Sequence, residues 1–117
     1  MKYICLVYGI ERDIARMDDT HCLDFDQSIR DSGHCLSSEA LESTSTARTV
    51  RVRDGKMNVV DGPFAETKEM LAGFYLIDAK DMDEAVAIAA RIPPAQVGSI
   101  EVRPIRPIRE SPRRGTG

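Results

Sequence analysis

The chain has 117 residues, 42% of them apolar and 30% charged, with a formal net charge of −3 at pH 7. That length fits one domain that buries roughly two-thirds of its unfolded surface, and it is too short for two independent cores. The mild negative charge argues against nucleic acid as a partner, no apolar run approaches a membrane span or a signal-peptide core, and three cysteines without CxxC spacing argue against a disulfide framework.

A cytoplasmic protein with reduced thiols is therefore the expectation. Lys2 to Tyr8 reads as a strand that is apolar on both faces, Ile4, Leu6 and Tyr8 alternating with Tyr3, Cys5 and Val7. From about Asp18 to Ser32, Cys22, Phe25 and Ile29 recur at helical spacing, and Gly33 is placed to end the helix. His34 to Leu41 is the next strand, and the serines and threonines of Glu42 to Thr46 favour a loop.

Arg48 to Arg53 and Lys56 to Asp61 flank Asp54-Gly55, the dipeptide that suits a two-residue type I′ hairpin because both central residues need positive φ. Counting outward from that turn pairs Val52 with Met57, Val50 with Val59 and Arg48 with Asp61. Asp61 then shares the apolar face of the hairpin, where its carboxylate is expected to be partly buried. Gly62 precedes a proline and is biased to extended geometry, so Asp61 sits at a stiff corner.

Leu71 to Ile77 is a further strand with two apolar faces, Phe74 and Leu76 against Tyr75 and Ile77. Asp81 and Glu84 have capping-box spacing before a helix whose apolar stripe is Met82, Ala85, Val86, Ala89 and Ala90, and which stops at Pro93-Pro94. Ser99 to Arg103 is the last strand. From 106 to 117 the Arg- and Pro-rich composition supports no core, so a disordered tail is expected after a domain at 1–105.

The stretches Thr49 to Lys56 and Asp61-Gly62-Pro63-Phe64 through Glu69 resemble the DGPF group of the YCII-related proteins, and the resemblance runs from Met1 to about Ile105. It implies a ferredoxin-like protomer of the dimeric α/β-barrel group. The order of elements agrees: strand, helix, strand, hairpin, strand, helix, strand is an α+β split βαβ plan with an inserted hairpin. Two helices cover one face of the sheet, so the second apolar face of the two central strands calls for a partner, most simply a second copy in a homodimer.

Asp61 is the first candidate for chemistry, as a general acid or base tuned by Arg48, with a purely structural ion pair as the competing reading. His34 is the second, because imidazole suits proton transfer near neutral pH and because the resemblance implies a His and Asp pair at an interstrand pocket; a merely packed or solvated histidine is the alternative. In a regular strand His34, Leu36, Ser38 and Ala40 share one face while Cys35, Ser37 and Glu39 share the other, so His34 and Glu39 form no dyad unless a bulge intervenes. Glu39, Arg48 and Tyr8 are kept as candidate pocket-lining residues. His21-Cys22 and His34-Cys35 lack the spacing of a zinc site, and nothing in the chain requires a metal or cofactor.

Two functions follow. One is a cofactor-free lyase or isomerase that moves a proton on a small anionic organic molecule, by analogy with lactone isomerases, a lactone dehydrochlorinase and cofactor-free monooxygenases of the same fold. The other is a non-catalytic ligand-binding or regulatory dimer, since proteins of the family are often encoded beside alternative sigma factors.

Overall fold

The structure, a computed structural model, describes residues 1–109. Its six strands are β1 (Lys2–Gly9), β2 (Cys35–Ala40), β3 (Arg48–Arg53), β4 (Lys56–Asp61), β5 (Met70–Asp78) and β6 (Ser99–Pro104), and its helices are α1 (Glu11–Ala15), α2 (Asp19–Asp31) and α3 (Met82–Ala89). Four strands form an antiparallel sheet in the order β2-β5-β1-β6, and β3 and β4 form a separate hairpin. This is the ferredoxin-like α+β arrangement with an inserted hairpin. Part of the expected tail, from 110 onward, lies outside the described residues.

Alternation on the two central strands builds the core. Tyr3, Cys5 and Val7 of β1 stand beside Ile77, Tyr75 and Gly73 of β5, all buried against Phe25 and Ile29 of α2 and Ala85, Ile88 and Ala89 of α3. Phe25 and Tyr75 meet edge to face with ring centroids 5.3 Å apart. Burying a side chain such as Ile29 is worth about 2–3 kcal/mol, so this one layer of contacts supplies much of the drive to fold. On the opposite face Ile4, Leu6 and Tyr8 of β1 and Phe74 and Leu76 of β5 are half-buried, and among the described residues no helix packs over them.

Helix ends follow their side chains. Asp18 accepts from the Thr20 amide at the start of α2 (2.8 Å), and Asp81 accepts from the Glu84 amide at the start of α3 (2.9 Å). The α3 stripe departs from expectation: Ile88 is buried with Ala85 and Ala89, whereas Met82, Val86 and Ala90 are exposed, because the helix faces the core through Ala85, Ile88 and Ala89. α1 was not anticipated. Its Glu11 accepts hydrogen bonds from the Thr44 amide (2.7 Å) and the Ser43 hydroxyl (3.2 Å), which ties the loop after β2 to the end of β1 and holds the Glu11 carboxyl below its usual range. Among the described residues no helix is long and apolar enough to cross a membrane.

Candidate functional site

The hairpin has the expected register, with Arg48 opposite Asp61, Val50 opposite Val59 and Val52 opposite Met57, and Asp54 and Gly55 take φ of 53° and 75°. Arg48 Nε lies 3.0 Å from Asp61 Oδ1. The expected burial of Asp61 is not found: its side chain is 88% exposed. The reason is that the hairpin projects from the domain, so its apolar face, Val50, Val52, Met57 and Val59, stays bare in the single chain. Phe64 is exposed as well and lies under the Arg51 guanidinium (5.4 Å to the ring centroid) instead of entering the core.

Gly62 also differs from expectation. Its φ of +102° belongs to the region that favours glycine, and the turn is stitched to β3 by a bond from the Gly62 amide to the Ala47 carbonyl (2.8 Å) and one from the Thr49 hydroxyl to the Gly62 carbonyl (2.9 Å). The Asp-Gly pair of the signature thus closes the base of the hairpin.

His34 lies elsewhere. Its Nδ1 is 2.7 Å from the Ser32 hydroxyl and its Nε2 is 3.3 Å from Glu84 Oε1, at the start of α3 on the helix side of the sheet. None of its contacts reaches the hairpin. The face assignment on β2 is corrected by a bulge between Cys35 and Ser37, where Leu36 is the extra residue. Cys35 pairs with Ile77 and Ser38 with Tyr75 on the core side, while Ser37 pairs with Leu76 and Glu39 with Phe74 on the open side. His34 precedes β2 and contacts Ser32 and Glu84, whereas Glu39 faces the open side, so the bulge does not bring the two together. Tyr8 is on the open face with Leu6.

A different group of residues converges where α2 crosses the β2 edge of the sheet. A cavity of about 430 Å³ there is lined by Cys22, Asp26, Ser38 and Tyr75, with Asp19 at the exposed first turn of α2 and Ile14, Met17 and Pro94 closing the apolar side. Glu39 and Phe74 border it too, although register turns their side chains to the open face and leaves their main chain to the wall. Asp26 is half-buried, and its Oδ1 is shielded from solvent with no hydrogen-bond partner. Such an atom is rare enough in folded proteins to need an explanation.

Tyr75 is its neighbour from the sheet. Burial, followed by a hydrogen bond to the Asp26 carboxylate and that carboxylate's charge, pushes the Tyr75 phenol well above its ordinary value, so the hydroxyl stays protonated; the Asp26 oxygen left without a partner is Oδ1. Burial and the carboxylates of Asp19 and Asp26 likewise raise the Cys22 thiol, which keeps it neutral and makes it a poor nucleophile. Cys5, in the core, is pushed up to about 11 by burial alone. Among the described residues, no three His, Cys, Asp or Glu side chains cluster as a metal would need. The site combines a hydrogen-bond donor, a carboxylate with an unmet acceptor and a largely apolar wall, which are the parts needed to hold a small molecule and exchange a proton with it.

Sequence reading missed Asp26 and Tyr75. The available signal was Asp26 one helical turn after Cys22, beside Phe25 and three residues before Ile29, an acid set among the core-facing positions of α2.

The pattern described as YCII-related domain matches residues 1–109. The chain belongs to that family. An uncharacterized protein of Rhizobium meliloti is 51% identical over 67 residues, which make up 56% of this chain and 54% of that protein, so the match spans about half the relative's length. YCII-related membership thus agrees with the ferredoxin-like fold and leaves the chemistry to be argued from the site.

Proposed function

We propose that this YCII-related protein binds a small organic molecule in the cavity beside α2 and acts on it as a cofactor-free lyase or isomerase. Asp26 is the proton acceptor and Tyr75 the hydrogen-bond donor. The observation that carries this reading is the shielded, unpartnered Oδ1 of Asp26 at a cavity wall next to a phenol held in its neutral form. A proton is what that oxygen lacks, and a bound ligand with an acidic C–H, O–H or N–H supplies one.

The wall also restricts the substrate. Its charged side chains are the carboxylates of Asp19 and Asp26, and among the described residues no Lys or Arg lines the cavity, so a neutral or cationic molecule is favoured over the anionic one that fold analogy implied. Asp61 and Arg48, exposed and paired on the hairpin, fit a role in assembly better than one in chemistry.

The second part of the proposal is a homodimer formed over the open sheet face. The half-buried Ile4, Leu6, Tyr8, Phe74 and Leu76 offer an apolar centre rimmed by Glu39, Glu101 and Arg103, which is the composition of an interface core with a polar rim. The bare apolar face of the hairpin supports the same reading.

The test of the catalytic reading is a thermal-stabilisation screen of neutral and cationic small molecules, including lactones, phenols and amines, on the wild type, Asp26→Asn and Asp61→Asn. Hits that stabilise the wild type and Asp61→Asn but not Asp26→Asn are the expected result. Hits lost only in Asp61→Asn would move the site to the hairpin.

A further inference from the structure

On the other side of α2 lies a second cavity of about 440 Å³, between that helix and the turn at Pro93–Gln96, and it is built differently. Its polar wall is His21, Asp24, Ser28, Arg91 and Gln96. Arg91, just past the end of α3, is held in two ways: its guanidinium lies over the Phe25 ring, 5.5 Å from the centroid, and its Nη2 donates to Ser28 Oγ at 2.9 Å. Ser28 is fixed in turn, because its hydroxyl donates to the Phe25 carbonyl at 2.7 Å and so presents only acceptor capacity to the arginine.

This is an unusual state for an exposed arginine. Most such side chains are disordered stems, whereas Arg91 is oriented by an aromatic face and a hydroxyl, and among the described residues no carboxylate lies within ion-pair distance of it. Asp24 borders the same cavity but makes no ion pair with Arg91. One of the five guanidinium N–H donors is used within the protein, and the rest of the planar fork is free to meet a second partner. His21 and Gln96, on opposite walls, supply further donors beside it.

We infer that this cleft is an oxyanion-binding site, in which the carboxylate or phosphate group of a small molecule pairs with the free edge of Arg91 and is flanked by His21 and Gln96. The site is separate from the Asp26 cavity and, unlike it, sets a cation, Arg91, beside its one carboxylate, Asp24, so it does not depend on the chemistry proposed there. Ser28 is a positioning residue that sets the plane of the guanidinium.

The experiment uses the full chain, with inorganic phosphate and acetate titrated separately against chloride at matched ionic strength, read from the ¹H–¹⁵N signals of the Arg91 Nε–H and the Gln96 side-chain amide. Saturable shifts with phosphate, acetate or both, absent with chloride, are expected, and the anion that saturates identifies the ligand group. Arg91→Gln should weaken that binding by about ten-fold or more, the loss of a charge-assisted hydrogen-bond pair. Arg91→Lys, which keeps the charge but not the fork, and Ser28→Ala, which frees the guanidinium, should each weaken it by less. Saturation by neither anion, equal shifts with chloride, or binding unchanged in Arg91→Gln in a protein with native circular dichroism would overturn the assignment.

Discussion

Asp61 and Asp26 are two acids in opposite situations. Asp61 has a well-placed cation 3.0 Å away and almost full exposure, and pairs of that kind contribute less than about 1 kcal/mol because water screens them. Asp61→Asn should therefore leave ligand responses intact and shift the urea midpoint of the monomeric chain only slightly; a large loss in the monomer would contradict the exposed pair, whereas a loss confined to dimer-forming concentrations fits its role in assembly. Asp26 keeps one oxygen, Oδ1, shielded from solvent and without a hydrogen-bond partner, while its carboxylate faces the Tyr75 phenol. The pairing of Asp61 was legible in the sequence because register propagates from Asp54-Gly55 by local rules, while its exposure was not, since that depends on what the hairpin packs against. Asp26 was only partly legible, for a related reason. A polar residue beside Phe25 reads as solvent-facing until the sheet edge that meets it is known.

At the scale of elements, capping and turns were readable and face assignments were less so. The Asp81 cap is one hydrogen bond from side chain to the Glu84 amide, and Glu84 itself accepts from the Lys80 amide (3.1 Å) and lies against His34, so one carboxylate joins the start of α3 to the entry of β2. Asp81→Ala should lower stability by about 1 kcal/mol while Asp81→Asn retains most of it, as urea unfolding followed by circular dichroism will measure. The bulge in β2 had no comparable sequence signal. Leu36 is neither glycine nor proline, and only the pairing with β5 shows that a residue has been added to the strand. With that single insertion, alternation along β2 changes phase and Ser38 joins the cavity wall.

For the whole molecule, the two-sided apolar strands were visible in the sequence, and they carry the expectation of a partner. One face of the sheet is closed by α2 and α3; the other presents Ile4, Leu6, Phe74 and Leu76 without cover from any described element. Sedimentation of the wild type should give twice the chain mass, and Leu6→Lys, which puts a charge at the centre of that face, should give a folded monomer. A monomeric wild type would contradict the assembly. The central claim, however, is that ligand chemistry belongs to the cavity beside α2. The most direct test is to map the backbone amide shifts produced by a stabilising small molecule on the full chain: the shifts should cluster at Cys22, Asp26, Ser38, Gly73 and Tyr75, whereas a cluster on the hairpin around Arg48, Asp61 and Gly62 would contradict it.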